Sequence, residues 1–252
     1  MTTSETVATT VMTLDSVIRD YRQGDETVHA LRSTDLQLRA GELVGILGPS
    51  GSGKSTLLTI MGGLRTPSSG TVTISGEPFS ALPEKRRAGI RLRRIGFVLQ
   101  ASGLVPFLRL NDQFGLHDRV TRTKSDTDRR DHLLDSLGIS QRAHAYPSEL
   151  SGGERQRAAI AVALYHDPDI ILADEPTAAL DTRRAQDVAH LLADQTHELG
   201  KATVMVTHDE RLLPVCDRVL VMHDGVLTER TKPVDEADEK EPARVTGPGE
   251  SA

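Results

Sequence analysis

The 252-residue sequence predicts an α/β fold with a mainly parallel core sheet, an antiparallel N-terminal β subdomain and an inserted helical subdomain. Three observations predict it. Short apolar β runs alternate with helical spacing, in the order β, helix, β, helices, β, helix, β, which implies parallel strands joined by right-handed crossovers. Two alternating segments around a polar turn stand ahead of the first apolar run, as an antiparallel pair would. From about residue 101 to 164 the pattern changes to helices and charged loops, an insertion.

The elements follow in order. Residues 1–11 are small and polar and are expected to form a flexible tail. "MTLDSVIRDY" alternates and reads as a strand ending at Tyr21; "RQGDET" is a turn, and "VHALRSTDLQL" returns as a second strand. "ELVGIL" is a short buried β run, and "KSTLLTIMGGL" is a helix stopped by Gly62 and Gly63. "GTVTISG" and "RIGFVLQ" are further strands. After the insertion, "DIILADEP" and "ATVMVTHD" are apolar β runs with polar ends, and "DRVLVMHDGVLTER" is a hairpin turning at Asp224-Gly225. The remainder, 229–252, is rich in Glu, Asp, Pro and Gly and reads as a disordered, solvating tail. One globular domain over 12–228 is therefore expected, and its chemistry belongs at the carboxyl ends of the parallel strands.

Composition excludes several classes. A formal charge of −6 gives no nucleic-acid footprint. The single cysteine, Cys216, rules out an internal disulfide framework and reads as a small core residue. The N-terminal residues lack a basic segment followed by an apolar run, so no signal peptide is expected. No run of ~18 apolar residues is present to span a bilayer.

The stretch "GILGPSGSGKSTLL" places glycines where glycine weakens regular structure. Gly48, Gly53, Lys54 and Ser55 satisfy the pattern G-x-x-x-x-G-K-[ST] between an apolar strand and a helix, the context that makes it a phosphate cradle, or P-loop. Backbone N–H groups of Gly48, Pro49, Ser50, Gly51, Ser52 and Gly53 belong to this loop save at Pro49, which has none, and Thr56 continues it into the helix. The helix end adds partial positive charge, Lys54 a full one, and the Ser55 hydroxyl can ligate Mg²⁺. A cradle alone does not separate a kinase, a GTPase and a transport motor.

Two more elements narrow the choice. "DIILADEP" ends a strand at Asp174, placed to hold Mg²⁺, with Glu175 placed to polarise an attacking water; by itself an Asp-Glu pair is also an ordinary polar strand end. In "LSGGERQRAAIAVAL", Ser151, Gly152 and Gly153 open a helix that is equally a plain capped helix or a second anion-binding end. One ATP fits between the two helix ends if two copies meet face to face.

"GPSGSGKST", "LSGGERQR", "ILADEPTAALD" and "VTHD", in this order, resemble the ATP-binding cassette (ABC) ATPase family over roughly residues 12–228. The resemblance implies a P-loop NTPase that binds ATP and Mg²⁺ and hydrolyses ATP. It implies a homodimer in which each ATP lies in one chain's cradle and against Ser151 and Gly153 of the other. Carried over residue by residue, Tyr21 matches the adenine-stacking aromatic, and a packed Tyr at a strand end is its competitor. Gln100 matches the glutamine that touches Mg²⁺ and the attacking water, His208 the switch histidine at the γ-phosphate, Glu175 the catalytic carboxylate, and Asp181 the loop that crosses between subunits. Ala178, Val162, Arg109 and Asn111-Asp112 depart from the family pattern, the last group at the expected docking surface for a partner.

"GDETVHAL" before the cradle and "IRLRRIGFVLQASGLVP", reading from Ile90, resemble, more loosely, the lipoprotein-release, macrolide-export and cell-division branch. That implies an integral membrane permease on a separate chain and a peripheral place on the cytoplasmic face of the membrane, with export or mechanical extraction as the direction. "EKRRAGIRLRR" has six bases and one acid; a solvated helix face is the favoured reading over contact with anionic lipid or a partner. Rivals are an ABC protein acting on DNA or ribosomes, a nucleotide-binding tether without transport, an importer ATPase, and a P-loop kinase, which has no reason to carry LSGG.

Overall fold

The computed structural model describes residues 9–24, 26–178 and 180–230. Its centre is a six-stranded sheet of order β10-β9-β3-β8-β7-β6. The strands are β3 (Leu43–Leu47), β6 (Ile95–Leu99), β7 (Ile170–Asp174), β8 (Ala202–Thr207), β9 (Arg218–His223) and β10 (Val226–Glu229). All pairings are parallel except the β9/β10 hairpin. Its turn residues Asp224 and Gly225 both have positive φ, 46° and 77°, as a two-residue hairpin turn requires.

A second, antiparallel sheet of order β2-β1-β4-β5 lies against one face. It comprises β1 (Thr10–Gln23), β2 (Glu26–Arg39), β4 (Ser69–Ile74) and β5 (Glu77–Pro78). β1 is longer than the alternation suggests at both ends. It runs past Tyr21 to Gln23, and it takes in Thr10 and Val11, which the sequence reading put in the tail. Pairing supplies the reason: the Ser75 N–H donates to the Val11 carbonyl at 2.8 Å, and Val11 is buried. At the other end of the chain the hairpin reading holds to Glu229, which pairs with Leu220. The rest of the two tails, 1–8 and 231–252, lies outside the described residues.

Residues of the central strands alternate between two cores, because successive side chains point to opposite faces. Val44, Ile46, Val204 and Val206 face the antiparallel sheet and α1 (Lys54–Met61), meeting Leu14, Leu31, Leu57 and Met61. Leu43, Ala173 and Met205 face the other way, onto Ile160 of α5 (Gly152–Leu164) and Leu192 of α6 (Thr182–Glu198). Cys216 belongs to this second core, 2% exposed, against Gly45, where a Cβ would meet its sulfur. The remaining helices are α2 (Glu84–Arg94), α3 (Leu110–Thr121) and α4 (Thr127–Ser136). No helix among the described residues is long and apolar enough to cross a membrane.

α2 corrects the reading of "EKRRAGIRLRR" as a solvated face. Arg87 is 8% exposed; its Nε donates to the Gly63 carbonyl and its Nη1 to the Leu82 carbonyl, each at 2.9 Å. Arg91 Nη1 donates to the same Gly63 carbonyl at 2.9 Å, and Arg94 pairs with Asp169. Two guanidinium groups thus sit just beyond the C-terminal end of α1, where its dipole is negative. Arg87→Met should leave that carbonyl short of a buried donor and destabilise the fold by about 1–3 kcal/mol. Urea unfolding checks it; an unchanged midpoint would show that Arg87 contributes nothing there.

Candidate functional site

Four parallel strands deliver the predicted residues to one edge. Gly48 follows β3, Gln100 follows β6, Asp174 ends β7 with Glu175 after it, and His208 follows β8. A cavity of about 290 Å³ opens at these ends, lined by the loop residues Ser50, Gly51, Gly53, Lys54, Ser55 and Thr56 and by Gln100, Asp174 and Glu175. Ala30 of β2 completes the wall.

Two of the loop's glycines, Gly48 and Gly53, are forced by close backbone approach. A Cβ on Gly53, whose φ is 112°, would lie 2.4 Å from the Ala30 carbonyl oxygen. The loop is also stitched from behind. The Gly225 N–H donates to the Ser52 carbonyl at 2.9 Å, and the Gly225 carbonyl accepts from the Arg32 N–H at 2.8 Å. Ala30 and Gly225 as neighbours of the loop were not read from the sequence; nothing local signals them.

α1 begins with no capping side chain and no acid in its first turn, so its leading N–H groups remain open to a ligand. Lys54 is 6% exposed, and its Nζ donates to the Gly48 and Pro49 carbonyls at 2.7 and 2.8 Å. The ammonium is therefore stored inside the loop it serves. Ser52 is also buried, and its Oγ has no hydrogen-bond partner among the described residues.

Asp174 and Ser55 line the same cavity. Burial, and then the charge of Glu175, push the Asp174 carboxyl above the ordinary value, opposed by the Ser55 hydroxyl and by Lys54. Glu175 has φ of 46°, a left-handed backbone that is uncommon for a non-glycine residue. The Glu175 N–H donates to the Val206 carbonyl at 3.0 Å, which ties the strained residue to β8. Its Oε2 lies 2.9 Å from Nδ1 of His208. An ionised Glu175 can only accept, so the shared hydrogen then sits on Nδ1 and leaves Nε2 of the exposed imidazole facing outward.

Tyr21 sits opposite Val28 on β2, two residues from Ala30. Its ring carries the guanidinium of Arg19 at 4.7 Å and that of Arg65 at 5.5 Å. It does not line the loop cavity but, on β1, pairs with β2, the strand whose Ala30 touches Gly53.

The remaining site residues open elsewhere. Ser151 caps α5: its Oγ accepts from the Glu154 N–H at 3.3 Å, and Glu154 accepts in return from the Ser151 N–H at 2.8 Å. That N–H first, then Arg142, holds the Glu154 carboxyl down at about 2. Ser151 and Gly153 line a separate cavity of about 300 Å³ that shares no described lining residue with the Lys54 cavity. Gly152 begins the helix between them. Asp181 caps α6, accepting from the Arg184 N–H at 3.1 Å.

The model of the ABC transporter family matches residues 31–178. The lipoprotein-releasing system ATP-binding protein LolD of Legionella pneumophila (strain Lens) is 40% identical over 222 residues, 87% of this chain and 98% of LolD. HrtA of Staphylococcus aureus (strain Newman), an ATP-binding protein named for hemin import, is 39% identical over 221 residues, 86% of this chain and 99% of its own. Among solved structures, a dimeric post-hydrolysis state of the ATP-binding cassette MJ0796 bound to ADP and Pi is similar with a TM-score of 0.77 and 36% identity. It covers 86% of this chain and 98% of that one.

Proposed function

This chain belongs to the ABC transporter family, and from that premise we propose that it is the ATP-binding and hydrolysing subunit of a membrane complex, two copies closing around two ATP molecules to move a separate integral membrane permease. One observation carries the dimeric reading. The phosphate loop and the Ser151 end of α5 open on separate cavities, so a single chain does not place both on one nucleotide. A second copy, turned head to tail, supplies the missing half.

Each residue then has a task. Backbone N–H groups of the loop and of the first turn of α1 receive the phosphates, and Lys54 exchanges its two carbonyl partners for phosphate oxygens. Tyr21 stacks on the adenine. Glu175 orients the attacking water and accepts its proton, and His208 holds that carboxylate while its outer nitrogen reaches toward the γ-phosphate. Ser55, Asp174 and Gln100 form an oxygen set suited to Mg²⁺. Mg²⁺ takes oxygen ligands and commonly keeps several waters, so one carboxylate with a hydroxyl and an amide oxygen is a sufficient protein share. When bound, Mg²⁺ neutralises charge on the β- and γ-phosphate oxygens.

Nucleotide binds the closed dimer better than the open one and shifts the population toward closure; hydrolysis removes that bias. The helical insert, about 101–164, passes the motion to the permease, which holds the chain at the cytoplasmic face of the membrane. Export or extraction is the direction favoured by the releasing function in the name of LolD; the import in the name of HrtA favours an importer ATPase instead.

If two copies build each site, ATPase activity per chain should fall on dilution, the total rate approaching second order in protein. A specific activity that stays flat down to concentrations where the chain is monomeric would refute the composite site.

A further inference from the structure

Arg184 lies against the Ser151 end of α5 although it belongs to the first turn of α6. Its Cδ is 3.8 Å from where a Cβ on Gly153 would stand. Both residues line the 300 Å³ cavity, together with Arg157 of α5. Arg157 Nε is buried and has no hydrogen-bond partner among the described residues. The opposing charges in this wall are Glu154, engaged by Arg142, and Asp187, one turn along α6. The Arg184 guanidinium is held by Asp181 at 3.3 Å, with side chains 62% and 56% exposed. An ion pair this exposed is weak, and a phosphate can take the guanidinium from it.

The need for another cation is equally visible. Lys54 is the one cationic side chain among the described residues lining the phosphate-loop cavity. Closing two chains over two nucleotide triphosphates brings the phosphates' negative charge into the seam. A guanidinium fork matches phosphate oxygens bidentately, which an ammonium does not.

We infer that Arg184 contacts, in trans, the phosphates of the nucleotide held by the second copy, beside Ser151 and Gly153. The inference rests on the head-to-tail dimer proposed above. On closure, the guanidinium leaves Asp181 for the partner-bound phosphate, and Asp181 keeps its cap on the Arg184 N–H.

The test uses the full chain carrying Glu175→Gln, with Mg-ATP, and reads the dimer dissociation constant by sedimentation velocity. Arg184→Ala and Arg184→Gln should each raise it about ten- to a hundredfold. Arg184→Lys should fall between, since it restores charge without the fork. Thermal unfolding confirms that the variants fold, and ATP affinity of the dilute monomer should not change. Ser151→Arg, which blocks the α5 end, is the control. Dimerisation that survives Arg184→Ala but not Ser151→Arg overturns the inference and leaves the head-to-tail reading standing. Dimerisation that survives Ser151→Arg overturns the reading beneath it. Loss of monomer ATP affinity in Arg184→Ala would place the residue in cis and also overturn the inference.

Discussion

Glu175→Gln should lower steady-state ATP turnover by about 10²- to 10⁴-fold, the range a positioned general base contributes, while Mg-ATP still binds. The amide has the shape of the carboxylate and keeps an oxygen to face His208 Nδ1, now 2.9 Å from Glu175 Oε2. It cannot accept the proton of the attacking water. The left-handed backbone at Glu175, φ 46°, costs on the order of 1–3 kcal/mol in either variant, so the fold is not relieved or strained by the change. With hydrolysis stopped and binding intact, the nucleotide-bound dimer should accumulate. Turnover by coupled assay and mass by light scattering give the two readouts. Turnover near that of the unmodified chain would remove Glu175 from the chemistry; lost turnover together with lost ATP binding would make it a binding residue instead.

The parts of this site that were legible in the sequence are those whose neighbours in space are also neighbours in the chain. A strand, a glycine loop and a helix follow one another from Leu43 to Met61, and Asp174 and Glu175 sit on a strand end recognisable from its apolar run. The cap at Ser151 is legible for the same reason, since its partner Glu154 is three residues away. What was not legible depends on chain segments far apart. Arg87 looked like one more surface base because its acceptor, the Gly63 carbonyl, is 24 residues distant. The Asp224-Gly225 turn was read correctly as a hairpin, yet its role behind the loop, through Ser52 and Arg32, depends on sheet order. The stacked pair His117 and His166, ring centroids 4.6 Å apart, joins α3 to the end of α5 and carries no local signature. The strand end was missed at Thr10 because a polar residue there is held by pairing with Arg39 rather than by burial pattern.

The second large effect is expected at Gly48, where the requirement is contact and not backbone freedom. A Cβ there would lie 2.2 Å from the Met222 carbonyl oxygen and 2.9 Å from Ser52 Oγ. The first neighbour is backbone of β9, which cannot swing aside as a side chain can, so the loop itself must lift. The Gly48 carbonyl also anchors Lys54 Nζ at 2.7 Å, and any lift carries the ammonium away from its place. Overpacking of this kind costs about 1–3 kcal/mol or more in stability, and the loop that moves is the one proposed to bind phosphate. Gly48→Ala should therefore abolish measurable ATP binding while the rest of the sheet persists. Gly51 makes the contrast. Its φ is 81° but nothing lies within 4 Å of a Cβ, so Gly51→Ala meets only the left-handed penalty of about 1–2 kcal/mol. Its ATP affinity should fall by about tenfold at most. Calorimetric titration with ATP, beside thermal unfolding of each variant without nucleotide, separates the two effects. If both variants bound ATP equally well, the close approach of Gly48 to β9 would have no bearing on the cradle, and glycine would serve there for flexibility alone.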